Sequence, residues 1–295
     1  MITFAIPCFN SNISFLMHAI ESVKMQTLPC WKLIIVDGNQ ERNLTLESIV
    51  LKERDERISY KRNDDDLSMA GNWNFAFDAA ETEFVVLLHD DDVLSANYIE
   101  EMSKLIDSNK RAALYFCDVF LIDAYGKNVS TVPDLVKSLI KPKKAMLTLE
   151  GDIGLSSLLK GCYIFCPTSC YRKSQIKNSP FTNNWKMVTD FQMYFDLLAS
   201  GKKLTGTNQK LYSYRRHNNN QTVHLTSNFT RFEEEVEFYN MVNKTIGISW
   251  VRSKKLSEKK RIIKLHLLYV AFKNAVQLNF RNSMKCFRFF FKLNA

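Results

Sequence analysis

The chain has 295 residues, enough for one large α/β domain or for a domain with an appendage, and its 46% hydrophobic and 24% charged residues exclude a disordered or fibrous protein. The formal net charge of +9 is concentrated at one end: residues 251–295 hold twelve Lys or Arg and a single acid, Glu258, while the other 250 residues carry 28 bases and 30 acids. A slightly acidic body without a recognised nucleic-acid motif argues against nucleic acid as a partner. Seven scattered cysteines, and a Met1 that runs directly into a strand-like segment with no signal-like stretch, set the expectation of free thiols in the cytoplasm.

The elements alternate from the start. Ile2 to Ile6 reads as a strand, Phe15 to Lys24 as an amphipathic helix, Lys32 to Val36 as a strand, and Leu44 to Arg54 as a helix. Arg57 to Tyr60 is a short strand, Met69 to Ala80 a helix, and Phe84 to Leu88 a buried strand; a helix over Ala96 to Ser108 and a strand over Ala112 to Cys117 follow. This order predicts a mostly parallel sheet with crossover helices, whose ligands bind beyond the carboxyl ends of the strands. Three such ends carry polar signals: Pro7-Cys8-Phe9-Asn10, Asp37-Gly38, and the run His89-Asp90-Asp91-Asp92. Adjacent carboxylates repel, and either a divalent cation beside a phosphorylated substrate or a solvated acidic turn relieves them. Asp37 offers an acceptor to a nucleobase N–H and Phe9 a face for stacking, although Asp37-Gly38 is also an ordinary turn pair. Neither a G-x-G-x-x-G turn nor a G-x-x-x-x-G-K-[ST] loop is present.

The second half is less regular. Residues 124–160, basic from Lys137 to Lys144 around Pro142, read as a loop or insertion, long enough to be a mobile lid or a substrate-contacting segment. Cys162, Cys166 and Cys170 are too widely spaced for a zinc site, and their apolar surroundings with Pro167 suggest a strand and turn. Val188 to Leu198 has helical spacing, with Thr189 the expected N-cap, Gly201 the stop, and Asp190 in the first turn, where the helix dipole favours an ionised carboxylate. Tyr212 to Thr222 brings Arg215, Arg216 and His217 together after a strand; either arginine suits phosphate oxygens, and His217 suits a metal or a phosphate. From Leu256 to Lys292 a helix is expected with one apolar stripe of Ile262, Leu265, Tyr269, Phe272, Val276 and Phe280. No stretch there approaches the roughly 20 residues that span a bilayer, so its expected partner is an anionic membrane surface, its own catalytic domain or a second subunit in a homo-oligomer.

The segments Ala5-Ile6-Pro7-Cys8-Phe9-Asn10, Leu33-Ile34-Ile35-Val36-Asp37-Gly38, Ala70-Gly71-Asn72-Trp73-Asn74 and Leu87-Leu88-His89-Asp90-Asp91-Asp92 together resemble the nucleotide-binding half of family 2 glycosyltransferases. The resemblance extends from about residue 2 to about residue 224 and implies the GT-A fold: an α/β, Rossmann-like, mixed and mostly parallel sheet flanked by helices. Here it would occupy residues 1–225, with a nucleotide-binding half (1–123), an acceptor half (124–225), and a helical, basic C-terminal extension at 226–295.

Position by position, the resemblance implies that Pro7, Phe9, Asn10, Asp37, Asn72, Asp90 and Arg215 bind the nucleotide, with Asp37 on a uracil-type base. Asp91, Asp92 and His217 would face Mn2+ or Mg2+, and Asp190 would be the catalytic base of an inverting transfer. The chain departs from the family pattern at His89, where an Asp is common, and a hydrogen-bonded core histidine is the plainer reading of that position. The implied partners are a nucleotide-sugar donor, UDP-linked by preference, and a saccharide or lipid-linked saccharide acceptor. The implied setting is bacterial surface polysaccharide synthesis, with the enzyme in the cytoplasm or peripheral on the inner face of the cell membrane. A sugar-phosphate nucleotidyltransferase would open with a glycine-rich loop, and residues 1–20 hold no glycine. A non-catalytic relative would lack the acids at 91 and 190, and a phosphohydrolase would leave Pro7 to Asn10 and Asp37 without a purpose.

Overall fold

A computed structural model describes residues 1–217 and 220–293. The strands and helices expected from the first half are present: β1 (Ile2–Cys8), α1 (Ile13–Lys24), β2 (Trp31–Asp37), α2 (Leu44–Glu53), β3 (Ile58–Arg62), α3 (Met69–Ala79) and β4 (Phe84–Leu87). After the acidic triplet come β5 (Val93–Leu94), α4 (Tyr98–Ser108) and a long β6 (Ala112–Ile122). Short polar side chains start the helices: Asn12 accepts from Phe15 N–H, Asn43 from Thr45 and Leu46, and Ser68 from Gly71.

Residues 124–160 are not the loop expected from the sequence. They form α5 (Val132–Ile140), β7 (Met146–Leu149) and α6 (Gly151–Leu159). The signal that was missed is Thr131-Val132-Pro133-Asp134: the Thr131 hydroxyl accepts from Asp134 N–H and bonds its carboxylate, while proline fills the first turn. The cysteine-rich stretch passes through a 3-10 turn at Cys166–Thr168 into β8 (Cys170–Arg172), and all seven cysteines are free.

Then follow α7 (Thr189–Ala199), β9 (Lys203–Arg215), α8 (Gln221–Ser227), α9 (Thr230–Thr245), α10 (Val251–Lys259), α11 (Arg261–Val276) and α12 (Phe280–Lys292). Val188, not Thr189, occupies the N-cap of α7, and the Thr189 hydroxyl instead donates to the Trp185 carbonyl. Gly201, at φ +77°, takes the left-handed turn that ends this helix.

The strands form one sheet in the order β3-β2-β1-β4-β8-β6-β9-β5, with β7 paired to β9. Most paired residues lie in the parallel ladders β1 with β2 and β4, β2 with β3, and β6 with β9; β8 runs antiparallel between β4 and β6. Since β8 reverses direction twice over, β6 and β9 point the same way as β1, β2 and β4. The carboxyl ends of all five therefore open on one edge, which brings His217, just past β9, beside Asp91, just past β4. One face of the sheet packs on α1, α2 and α4. The other packs on α3, α6 and α7, and Phe232, Phe238 and Val242 of α9 with Ile263 and Leu267 of α11 belong to that same core.

The tail differs from the expected single stripe. Left-handed residues Lys260 (φ +48°) and Leu278 (φ +59°) break it into three helices. On α11 the buried side is Ile263, Leu267, Val270 and Ala271, whereas Leu265, Phe272 and Val276 of the expected stripe are 61%, 70% and 67% exposed. No helix among the described residues is long and apolar enough to cross a membrane.

Candidate active site

A cleft of about 1080 Å³ runs along the carboxyl edge of the sheet. Its walls carry Pro7, Phe9, Asn10, Asn72, Asp90, Asp91, Asp190 and His217, so eight of the expected site residues share one space. Phe9 is 55% exposed, and Asn10 turns the chain there with φ +51°, its N–H donating to Asn39. Asn72 sits on α3, buried, donating to the Cys8 carbonyl. A Cβ at Gly38 would lie 2.5 Å from the Asn72 amide, so glycine is required where β2 passes this helix. Asn74, two residues on, clamps the Phe181 backbone with two 2.8 Å hydrogen bonds.

The acidic run divides by environment. Asp90 faces the cleft, and burial lifts its carboxyl to about 6; the Ser11 hydroxyl draws it down, and the Asp91 charge adds to the rise. The Asp91 Oδ2 atom lies 2.8 Å from His217 Nε2 and 3.2 Å from the Asn220 amide. Asp92 is fully buried beneath them, accepting from the Tyr212 hydroxyl at 3.0 Å and from Arg215 N–H at 2.7 Å. Burial raises its pKa well above the carboxylate range, and Asp91 reinforces the rise.

His89 also lines the cleft, against Trp73 (5.8 Å between rings); its Nε2 is buried without a hydrogen-bond partner, and Nδ1 is 3.8 Å from Asp92. Of the expectation of a neutral core or hydrogen-bonded histidine, burial does lower the His89 pKa toward the neutral form, while the ring nitrogen lacks the hydrogen bond and the ring borders the cleft. His89, Asp91 and Asp92 offer ligand atoms within 4.8 Å of one another. Two carboxylates and an imidazole with an orphaned nitrogen fit a divalent cation that accepts mixed oxygen and nitrogen ligands.

Two expected nucleotide contacts are turned elsewhere. Asp37 is 0% exposed, and its oxygens are taken by Asn39 N–H and amide, Asn43 N–H, the Tyr60 hydroxyl and the Arg62 guanidinium. Burial works to raise its carboxyl, yet the hydrogen bonds from Asn43, Asn39 and Tyr60 hold it below the usual value. With its lone pairs spent on the β2 turn, it has none for a base. Arg215 is 3% exposed and points inward: Nε donates to the Asp91 carbonyl at 2.6 Å and Nη1 to the Asp123 carbonyl at 3.1 Å, while the guanidinium stacks on Phe15. It fixes the backbone of the acidic run. Arg216, the next residue, is the one on the cleft wall.

Asp190 stands on the other side of the cleft, at the second residue of α7. Glu234 of α9 accepts the Lys186 and Met187 N–H groups and so anchors the loop that delivers this helix. One Asp190 oxygen accepts from Phe191 N–H at 2.9 Å. Burial raises its carboxyl to about 6, tempered by that hydrogen bond and by the charge of Lys137. Such a value, near neutral and in a cleft, suits a general base. Missed at the sequence level are Lys137 of α5 and Arg231 and His266 of the later helices, which line the same cleft.

Comparison with known proteins agrees with this geometry. Residues 3–155 match the model described as Glycosyl transferase family 2. An uncharacterized glycosyltransferase of Methanocaldococcus jannaschii is 27% identical over 128 residues, 43% of this chain and 44% of that relative, so less than half of its length is spanned. The UDP-Glc:alpha-D-GlcNAc-diphosphoundecaprenol beta-1,3-glucosyltransferase WfgD of Escherichia coli is 23% identical over 198 residues, 67% of this chain and 70% of the relative. In fold the chain is similar to S. aureus TarS 1–349 in complex with UDP-GlcNAc, at a TM-score of 0.61 and 13% identity over 97% of this chain and 90% of that one.

Proposed function

This chain belongs to glycosyl transferase family 2, and from that premise we propose that it moves a sugar from a nucleoside-diphosphate donor, UDP-linked by preference, to an acceptor hydroxyl with inversion. The observation that carries the proposal is that Asp91 and Asp190, on opposite halves of the sheet, line one cleft with Phe9 and Asn72. That a TarS structure holds UDP-GlcNAc and another holds UDP supports a uridine donor.

Phe9 stacks on the base, Pro7, Asn10 and Asn72 shape its pocket, and Asp90 lies toward the ribose. Mn2+ or Mg2+ held by Asp91, with His89 and Asp92 behind it, would supply Lewis-acid neutralisation of the leaving diphosphate. His217 and Asn220 fix the Asp91 carboxylate. Asp190 takes the proton of the acceptor hydroxyl as its oxygen bonds to the anomeric carbon and the bond to the diphosphate breaks. The sugar passes through an oxocarbenium-like state and, attacked from the face opposite the leaving group, inverts.

The exposed Leu265, Phe272, Val276, Met284 and Phe291 of α11 and α12, together with Arg261, Lys273, Arg281, Arg288 and Lys292, support a peripheral position on an anionic membrane. There the acceptor would be a lipid-linked saccharide of a surface polysaccharide. The WfgD description, with its diphosphoundecaprenol acceptor, supports the same setting. Incubating the protein and Mn2+ with a panel of sugar nucleotides, and reading product anomers by NMR, tests the reading. Release of a nucleoside diphosphate with inverted product is expected; retained configuration would rule out the single displacement.

A further inference from the structure

Three cations, Lys137, Arg216 and Arg231, line the acceptor side of the cleft, which the transfer of a sugar to a neutral hydroxyl does not require. Lys137 projects from α5, half-buried, with its ammonium 4.2 Å from the centre of the Phe165 ring. Among the described residues its Nζ has neither a carboxylate nor a carbonyl partner and meets that ring. Arg216 donates through Nη2 to Asp134 at 2.6 Å, and among the described residues its buried Nε has no hydrogen-bond partner. Arg231, held by Glu235 at 2.9 Å, lines the same wall, as does His266.

These groups sit close enough to feel one another. Burial lowers the Lys137 pKa, and the charges of Arg231 and Arg216 lower it further. Burial likewise lowers His266 to about 3, with Arg231 and Lys137 contributing. They also neighbour the base, since Lys137 and Arg231 are the cations acting on Asp190. The donor end is different: the charged neighbours that dominate at Asp90 are Asp91 and His217. An ammonium on a cleft wall with no carboxylate of its own is stabilised when an anion joins it.

We infer that Lys137, Arg216 and Arg231 form an anion subsite beside Asp190 that takes a phosphate ester on the acceptor. The inference rests on the glycosyltransferase reading, in which the acceptor occupies this side. The phosphate belongs either to a lipid carrier or to a free sugar phosphate, two sources with one chemistry. It would sit against Lys137, with Arg216 and Arg231 on the same wall, placing a hydroxyl of the same molecule at Asp190.

The test is calorimetric titration of the full chain, saturated with UDP and Mn2+ so that the donor end is filled, with glucose 1-phosphate, glucose and dodecyl phosphate. Glucose 1-phosphate is expected to bind about tenfold or more tightly than glucose, and Lys137→Met to erase that preference while leaving UDP affinity intact. Lys137→Arg, which keeps the charge, should restore it and guards against a folding artefact. Tighter binding of dodecyl phosphate assigns the phosphate to a lipid carrier, and weaker binding to a soluble sugar phosphate. Equal binding of the phosphate ester by wild type and Lys137→Met, or no preference over glucose, overturns the inference. A chain that fails to bind UDP fails the transferase reading instead, and the Lys137 comparison still decides the subsite.

Discussion

The role of Asp190 makes the sharpest prediction, because the protein sets the carboxyl at about 6 through burial and leaves it one backbone hydrogen bond. With a base of that pKa, about ten-elevenths of the free enzyme is active at pH 7 and about one-eleventh at pH 5, so kcat/KM for the acceptor should fall roughly tenfold between them. The sign follows from the role: a base works ionised, its raised pKa brings protonation close to neutrality, and activity is lost as pH falls through 6. Asp190→Asn keeps shape and removes the base, and should lower transfer by about 10²–10⁴-fold, with the acid limb gone from what remains. Initial rates of nucleoside diphosphate release should be followed from pH 4.5 to 8 at saturating donor and metal and subsaturating acceptor. Wild-type kcat/KM that is flat down to pH 5, or Asp190→Asn with the same acid limb as wild type, would refute the assignment.

Other outcomes follow from the same geometry. Arg215→Ala should destabilise the fold by about 3 kcal/mol or more, since it strips partners from the buried Asp91 and Asp123 carbonyls; chemical denaturation reads it. A pure nucleotide-contact role would instead leave stability unchanged. Phe9→Ala should weaken UDP binding by about 1–3 kcal/mol if the exposed ring stacks on the base, with little change in stability. Saturating UDP and Mn2+ at about 100 times their Kd should add about 2.7 kcal/mol of stability, seen as a rise in Tm that EDTA reverses. Asp37→Asn should disturb the β2 turn rather than base recognition, so the loss of stability should exceed the loss of UDP affinity.

What the sequence revealed, and what it hid, follows from how local each signal is. Strands β1, β2 and β4 are apolar runs capped by polar ends, and their parallel pairing placed Phe9 and Asp91 on one edge without any knowledge of contacts. The direction a side chain takes past such an end is not local. Asp37 and Arg215 stand at strand ends like the others, but Tyr60 and the Asp123 carbonyl, distant in sequence, and the nearer Asn43 draw them away from the cleft. Helix α5 escaped notice because its apolar Leu135 and Leu139 stay exposed and its start depends on a Thr131–Asp134 pair across a proline. With it went Lys137. On α11 apolar residues surround the helix, so period alone could not choose between the side that joins the core at Leu267 and the side left open at Phe272.

The central claim is that the carboxyl edge of the sheet holds a nucleoside diphosphate with a divalent cation at Asp91. Calorimetric binding of UDP to wild type and Asp91→Asn, each with Mn2+ and with EDTA, tests it most directly. The account predicts binding by wild type with Mn2+ and about a tenfold or greater loss on either change, as expected for removing a ligand or its metal. No binding of UDP in any condition, or equal affinity in all four, would contradict it.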